Sequence, residues 1–159
     1  MANKLIIILV AVALVATAFF IYGKGINGNA SALQDYDGEI TLYKSLTCGC
    51  CDVYYSYFKN KGNSNMKTIL NQDSNNIKEK YGIPKEMESC HTTVMGNYFI
   101  EGHMPIEAIE KLLNEKPDIA GIALPGMPMG SPGMVGDKEG DFVVYAVNKD
   151  GTYNEFMRI

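Results

Sequence analysis

The sequence predicts an α/β domain behind an apolar N-terminal segment. Three features carry that expectation. Short runs with strand periodicity alternate with helical ones through most of the chain, an apolar stretch stands at its beginning, and a segment dense in Gly, Pro and Met interrupts the alternation late. The 159 residues are enough for one folded domain with additions.

Leu5 to Tyr22 is apolar apart from Thr17. As a helix it would run ~27 Å, close to the ~30 Å of a bilayer's hydrocarbon core. A core helix in a small domain would show a polar face, and this stretch has none. Residues 1–22 are therefore expected to be an uncleaved transmembrane anchor or, alternatively, a signal segment cut after Ala30-Ser31-Ala32. Residues 23–38, rich in Gly, Asn, Ser and Asp, read as a linker, and residues 39–159 as the domain. Either reading of the first segment places the domain outside the cytoplasm, in the periplasm or on the outer face of the membrane. The net charge of −4 and the absence of a basic patch exclude nucleic acid as a partner.

Within the domain, Ile40 to Lys44 reads as a strand with Ile40 and Leu42 on one face. A helix follows, carrying Val53, Tyr54, Tyr57 and Phe58 on one side and ending near Gly62. Met66 to Leu70 is a second strand. Ser74 to Tyr81 is a helix stopped by Gly82 and Pro84. Cys90 to Val94 and Tyr98 to Glu101 form a hairpin turned at Met95-Gly96-Asn97. Pro105 opens a helix whose stripe is Ile106, Ile109, Leu112 and Leu113, with Pro117 just beyond it. Gly121 to Gly136 holds too many breakers for any regular element and reads as one long loop. Phe142 to Val147 and Tyr153 to Met157 are final strands. Strand, Cys-x-x-Cys, helix, strand, helix, hairpin, helix is the order of a thioredoxin-like fold, here with a Gly/Pro/Met-rich loop insertion.

Three of the four cysteines, Cys48, Cys50 and Cys51, fall within four positions, and the fourth is Cys90. Adjacent Cys50 and Cys51 cannot bridge without strain, so structural stapling explains the crowding poorly. A helix N-terminus beside Cys48 to Cys51 favours thiolate over thiol. A redox pair needs two cysteines and leaves Cys50 surplus. Three thiolates suit a soft metal. Asp52 stands where c-type haem attachment needs His, and the spacing is too tight for the usual iron–sulfur pattern. Zinc stays open, with Cys48, Cys50, Cys51 and Cys90 as a formal tetrahedral set. Methionine favours copper, since thioether is a good ligand for Cu(I) and a poor one for zinc. Met127, Met129 and Met134 are expected to close over the site, and fold order is expected to bring Cys90 and His91 towards Cys48. The rival reading is a thiol–disulfide oxidoreductase in which Cys48 attacks and Cys51 resolves.

The segments Tyr43-Lys44-Ser45-Leu46-Thr47-Cys48-Gly49-Cys50-Cys51, Tyr81-Gly82-Ile83-Pro84, Ser89-Cys90-His91-Thr92, Glu101-Gly102-His103-Met104-Pro105 and Ile122 to Met134 occur in that order. In this the chain resembles the CopG-like thioredoxin-fold metal-binding proteins associated with bacterial copper resistance. The resemblance runs from about residue 40 to the C-terminus. It implies copper as the bound metal, as one ion or several and as Cu(I) or Cu(II), in a protein of copper tolerance that can be redox-active. It implies Cys48, Cys50 and Cys51 as core ligands, and Cys90, His91 and His103 as further ones. Met127, Met129 and Met134 match the family's Met-rich loop. Copper transporters or other copper-handling proteins are the implied partners. Leu46 departs from the proline common in the family before Thr-Cys.

Overall fold

The alternation read along the chain becomes one seven-stranded sheet flanked by helices. The computed structural model describes residues 31–70 and 74–159. In chain order the elements are β1 (Ile40–Lys44), α1 (Gly49–Lys61), β2 (Lys67–Leu70), α2 (Ser74–Lys80), a short 3-10 turn (Lys85–Met87), β3 (His91–Met95), β4 (Tyr98–Glu101), α3 (Ile106–Glu115), β5 (Gly121–Ala123), β6 (Val143–Val147) and β7 (Tyr153–Arg158). Their order across the sheet is β2-β1-β3-β4-β5-β6-β7. β1 pairs parallel with β2, and β4 parallel with β5; every other pairing is antiparallel.

Successive residues of a strand face opposite sides, and β4 shows both sides covered. Ile100 belongs to the larger core, with Tyr54 and Phe58 of α1 and Ile109 and Leu112 of α3. Its neighbour Phe99 belongs to a smaller core with Ile83, Met87, Ala123 and Val147. α3 buries Ala108, Ile109, Leu112 and Leu113, the spacing of a single helical stripe. Each Leu or Ile so buried contributes about 1.5–3 kcal/mol. Lys116, left-handed at φ 48°, ends the helix by donating its N–H to the Leu112 carbonyl.

Several expectations need correction. The stretch Gly121 to Gly136 is not loop throughout, because Gly121-Ile122-Ala123 forms β5 in the middle of the sheet. Gly121 acts there as a close-approach residue: any Cβ would strike the Phe99 carbonyl and ring on β4. Val53 does not share the buried side of α1; it is exposed, and Cys51 joins Tyr54 and Phe58 inside. The part of the expected linker that is described, from Ser31, packs onto the domain. Leu33 is fully buried, its N–H donates to the Glu110 carboxylate, and the Asn63 side chain donates to the carbonyls of Leu33 and Tyr36. The N-terminal anchor or signal segment, residues 1–22, and residues 23–30 lie outside the described residues. Among the described residues no helix is long and apolar enough to cross a membrane.

Candidate metal centre

Register explains why distant segments meet. Lys44 at the end of β1 pairs with His91 at the start of β3, so the loop carrying Cys48 leaves β1 beside Cys90. Thr92 pairs with Glu101, so His103, two residues past β4, returns to the same place. Glu101 pairs with Ala123 in the parallel direction, so the Gly/Pro/Met loop after β5 starts at that end too. α1 begins at Gly49, with Cys48 as its N-cap.

Cys48, Cys50, Cys51 and Cys90 present sulfurs within 4.8 Å of one another, and Cys90, His91 and His103 form a second such group. Cys90 belongs to both. Its Sγ lies 3.7 Å from Cys51 Sγ, 3.4 Å from His91 Nδ1 and 2.9 Å from His103 Nε2. Cys48 and Cys51 are joined in a disulfide, whereas Cys50 and Cys90 are free. In this oxidised form Cys48 and Cys51 carry no thiol. Cys50 Sγ lies 3.5 Å from Cys48 Sγ.

The surroundings set the protonation of these donors. Burial, followed by the charge of nearby Cys50, pushes the Cys90 thiol up to about 12. A metal that takes this sulfur therefore displaces a proton. Burial is also the main cause that holds His91 well below its usual range, with His103 and Lys78 adding to it, and burial likewise lowers His103. Both imidazoles are neutral at pH 7, the form that ligates metals. His103 Nδ1 sits 2.7 Å from the Pro132 carbonyl, which fits an Nδ1–H donor and leaves the Nε2 lone pair towards Cys90. His91 Nε2 is buried and has no hydrogen-bond partner among the described residues. Free soft sulfur beside neutral imidazole is a donor set that fits a soft or borderline metal ion.

The Met-rich loop reaches this centre through its backbone. Pro132 supplies the carbonyl to His103, and Gly133 lies against α1. Of the methionines expected to close over the site, Met127 and Met129 are exposed and Met134 is half-buried. Gly133 has φ +85°, and a Cβ there would stand 2.7 Å from the Tyr54 nitrogen. Gly133→Ala should therefore cost about 1–3 kcal/mol in backbone strain. It should also weaken metal binding by displacing the Pro132 carbonyl from His103. Urea unfolding together with metal competition checks both effects.

Several residues of this centre escape sequence reasoning. Tyr54 places its ring 4.5 Å from His91 and 5.5 Å from His103, and its hydroxyl donates to the Met104 carbonyl. The hydrophobic pattern marks Tyr54 only as a core position. Glu101, fully buried, pairs with buried Lys78 and accepts from the Ser89 N–H and the Thr92 hydroxyl, each at 2.6 Å. It thereby grips the chain on both sides of Cys90-His91. Lys44, also buried, pairs with exposed Asp52 at 2.7 Å.

Comparison with known proteins adds two findings. A family model described as a protein of unknown function, DUF411, matches residues 87–134, a span that holds Cys90, His91, His103 and the Met-rich loop but not the Cys48–Cys51 run. Two solved chains titled copper resistance protein CopG, one as Form 1 and one as Form 2, are each 33% identical to this chain. Each alignment covers 77% of this chain and 98% of that one, with a TM-score of 0.70. No curated protein matches the chain.

Proposed function

This chain belongs to the CopG-like copper resistance family, and from that premise we propose that it is a copper-handling protein whose cargo binds at the cluster of Cys48, Cys50, Cys51, Cys90, His91 and His103. The observation that carries the reading is the convergence of four sulfurs and two neutral imidazoles at one end of the sheet. The donor set alone suits zinc as well as Cu(I). Family membership is what favours copper.

The strand order β2-β1-β3-β4, with α1 following β1 and the Cys48-x-x-Cys51 pair at its start, supports a thioredoxin-like core. The apolar run Leu5 to Tyr22 and the disulfide both suit an extracytoplasmic protein, held to the membrane by its first segment or released from it. Met127 and Met129, exposed on the loop beside the centre, are suited to capturing Cu(I) before it reaches the thiols, with copper transporters or other copper-handling proteins as sources and acceptors.

The test is metal competition on the full-length chain, fully reduced and free of oxygen. Cu(I) should displace zinc completely, and Cys50→Ser should weaken Cu(I) binding by tenfold or more (roughly the loss expected when a metal site is compromised). Retention of zinc against Cu(I) would overturn the copper reading.

A second reading is favoured by one observation. The Cys48–Cys51 disulfide is the oxidised form of a thiol–disulfide oxidoreductase pair. That reading predicts disulfide reductase activity that survives Cys50→Ser; its loss in that variant would count against it.

A further inference from the structure

We infer that the Cys48–Cys51 disulfide is a switch that sets how much copper the centre holds, opened by a dithiol partner and closed by the reverse exchange. The inference rests on the copper reading above and concerns its regulation.

The disulfide divides the donors into two sets. Cys48 and Cys51 spend their sulfurs on each other. Cys50 and Cys90 keep theirs, within 4.8 Å of each other, and Cys90 faces both imidazoles. Closed, the centre therefore offers the Cys90, His91 and His103 group with Cys50 beside Cys90, a set suited to a single ion. His91 turns Nδ1 towards Cys90, while its Nε2 is buried without a hydrogen-bond partner among the described residues. Open, the centre gains two further sulfurs within 4.8 Å of the others, and thiolates can bridge ions.

Access to the bond is one-sided. Cys51 is fully buried, whereas Cys48 is partly exposed at the start of α1. An incoming thiolate attacks Cys48 Sγ, the Cys48–Cys51 bond breaks, and Cys51 leaves with the electron pair and takes up a proton. The partner's second thiolate then attacks its own sulfur in the mixed disulfide, releasing Cys48, which is protonated in turn. The partner ends as a disulfide and this chain as a dithiol, so two electrons and two protons have moved. Cys48 as the point of attack follows from exposure.

The experiment compares two preparations of the full-length chain under nitrogen. One keeps the disulfide; the other is reduced with dithiothreitol and then freed of it. Thiol alkylation read by mass should count two free thiols in the first and four in the second, as the sequence and the single disulfide require. Each preparation is titrated with Cu(I) supplied in acetonitrile, and bound metal is counted after desalting. The disulfide form should hold one ion per chain and the dithiol form at least double that. A Cys48→Ser/Cys51→Ser chain should hold the lower amount with or without dithiothreitol. Equal copper in the two wild-type preparations would overturn the switch while leaving the copper reading in place. No copper in either preparation, with the fold intact by circular dichroism, would overturn both.

Discussion

Cys90→Ser should remove Cu(I) binding more completely than any other single substitution in the centre. Cys90 is the one residue common to the sulfur group and to the sulfur–imidazole group, so its loss opens both. It is also the donor nearest His103, at 2.9 Å. Loss of an outer partner at a metal site commonly costs about 10–100-fold in affinity, and loss of this bridging donor should exceed that range. Serine keeps the size of the side chain, so the fold should survive. Competition against a Cu(I) chelator measures the effect, with circular dichroism as the control for folding. An affinity within a factor of a few of wild type would mean that Cys90 is not a ligand.

Lys78→Met should be the most destabilising substitution around the centre. Lys78 and Glu101 are both buried, and Lys78 is the cation paired with that carboxylate. Burial already pushes the Glu101 carboxyl up from its ordinary range, opposed first by Lys78. Removing one partner of a buried pair leaves a charge without compensation and costs about 3–5 kcal/mol. The loss should appear as a lower urea midpoint with an unchanged slope. Lys78→Met/Glu101→Gln should recover part of it, because the amide oxygen can still accept from the Ser89 N–H. A single substitution costing under about 1 kcal/mol would show that the pair behaves like an exposed one.

The two substitutions separate roles that lie close together. On the proposed reading Cys90 donates to the cargo itself. Glu101 acts through the chain, since its carboxylate holds Ser89 and Thr92 on either side of Cys90 and His91. Lys78→Met is therefore expected to lower stability first and metal affinity as a consequence.

Much of the scaffold is legible in the sequence because its signals are local. The hairpin is announced by Gly96, which takes φ +57° between β3 and β4. α3 is announced by a four-residue apolar stripe and by Pro105 at its N-cap. β5 is hidden for an equally local reason. Its first residue, Gly121, looks like a breaker, but its missing side chain is what lets β5 lie against Phe99. The pairing that makes it a strand is supplied by β4 and β6, far away in sequence.

The centre divides along the same line. The crowding of Cys48, Cys50 and Cys51 is visible in the sequence. Their meeting with Cys90 and His103 depends on strand register, and element order alone anticipates only its outline. The Lys78–Glu101 pair carries no local mark, since its members are 23 residues apart and each reads as a surface charge. The loop also meets the centre through a carbonyl at Pro132 and the bare backbone of Gly133, which no residue-type argument would single out. The choice of which cysteines bridge also lies beyond composition, because Cys50 and Cys48 are as close in sequence as any pair that could form.

X-ray absorption at the copper edge of the reduced, Cu(I)-loaded full-length chain tests the central claim most directly. A first shell of sulfur with imidazole nitrogen is predicted, and the nitrogen signal should fall in His103→Ala. A shell of oxygen, or sulfur and nitrogen signals that persist unchanged in Cys90→Ser and His103→Ala, would contradict the assignment of copper to this centre.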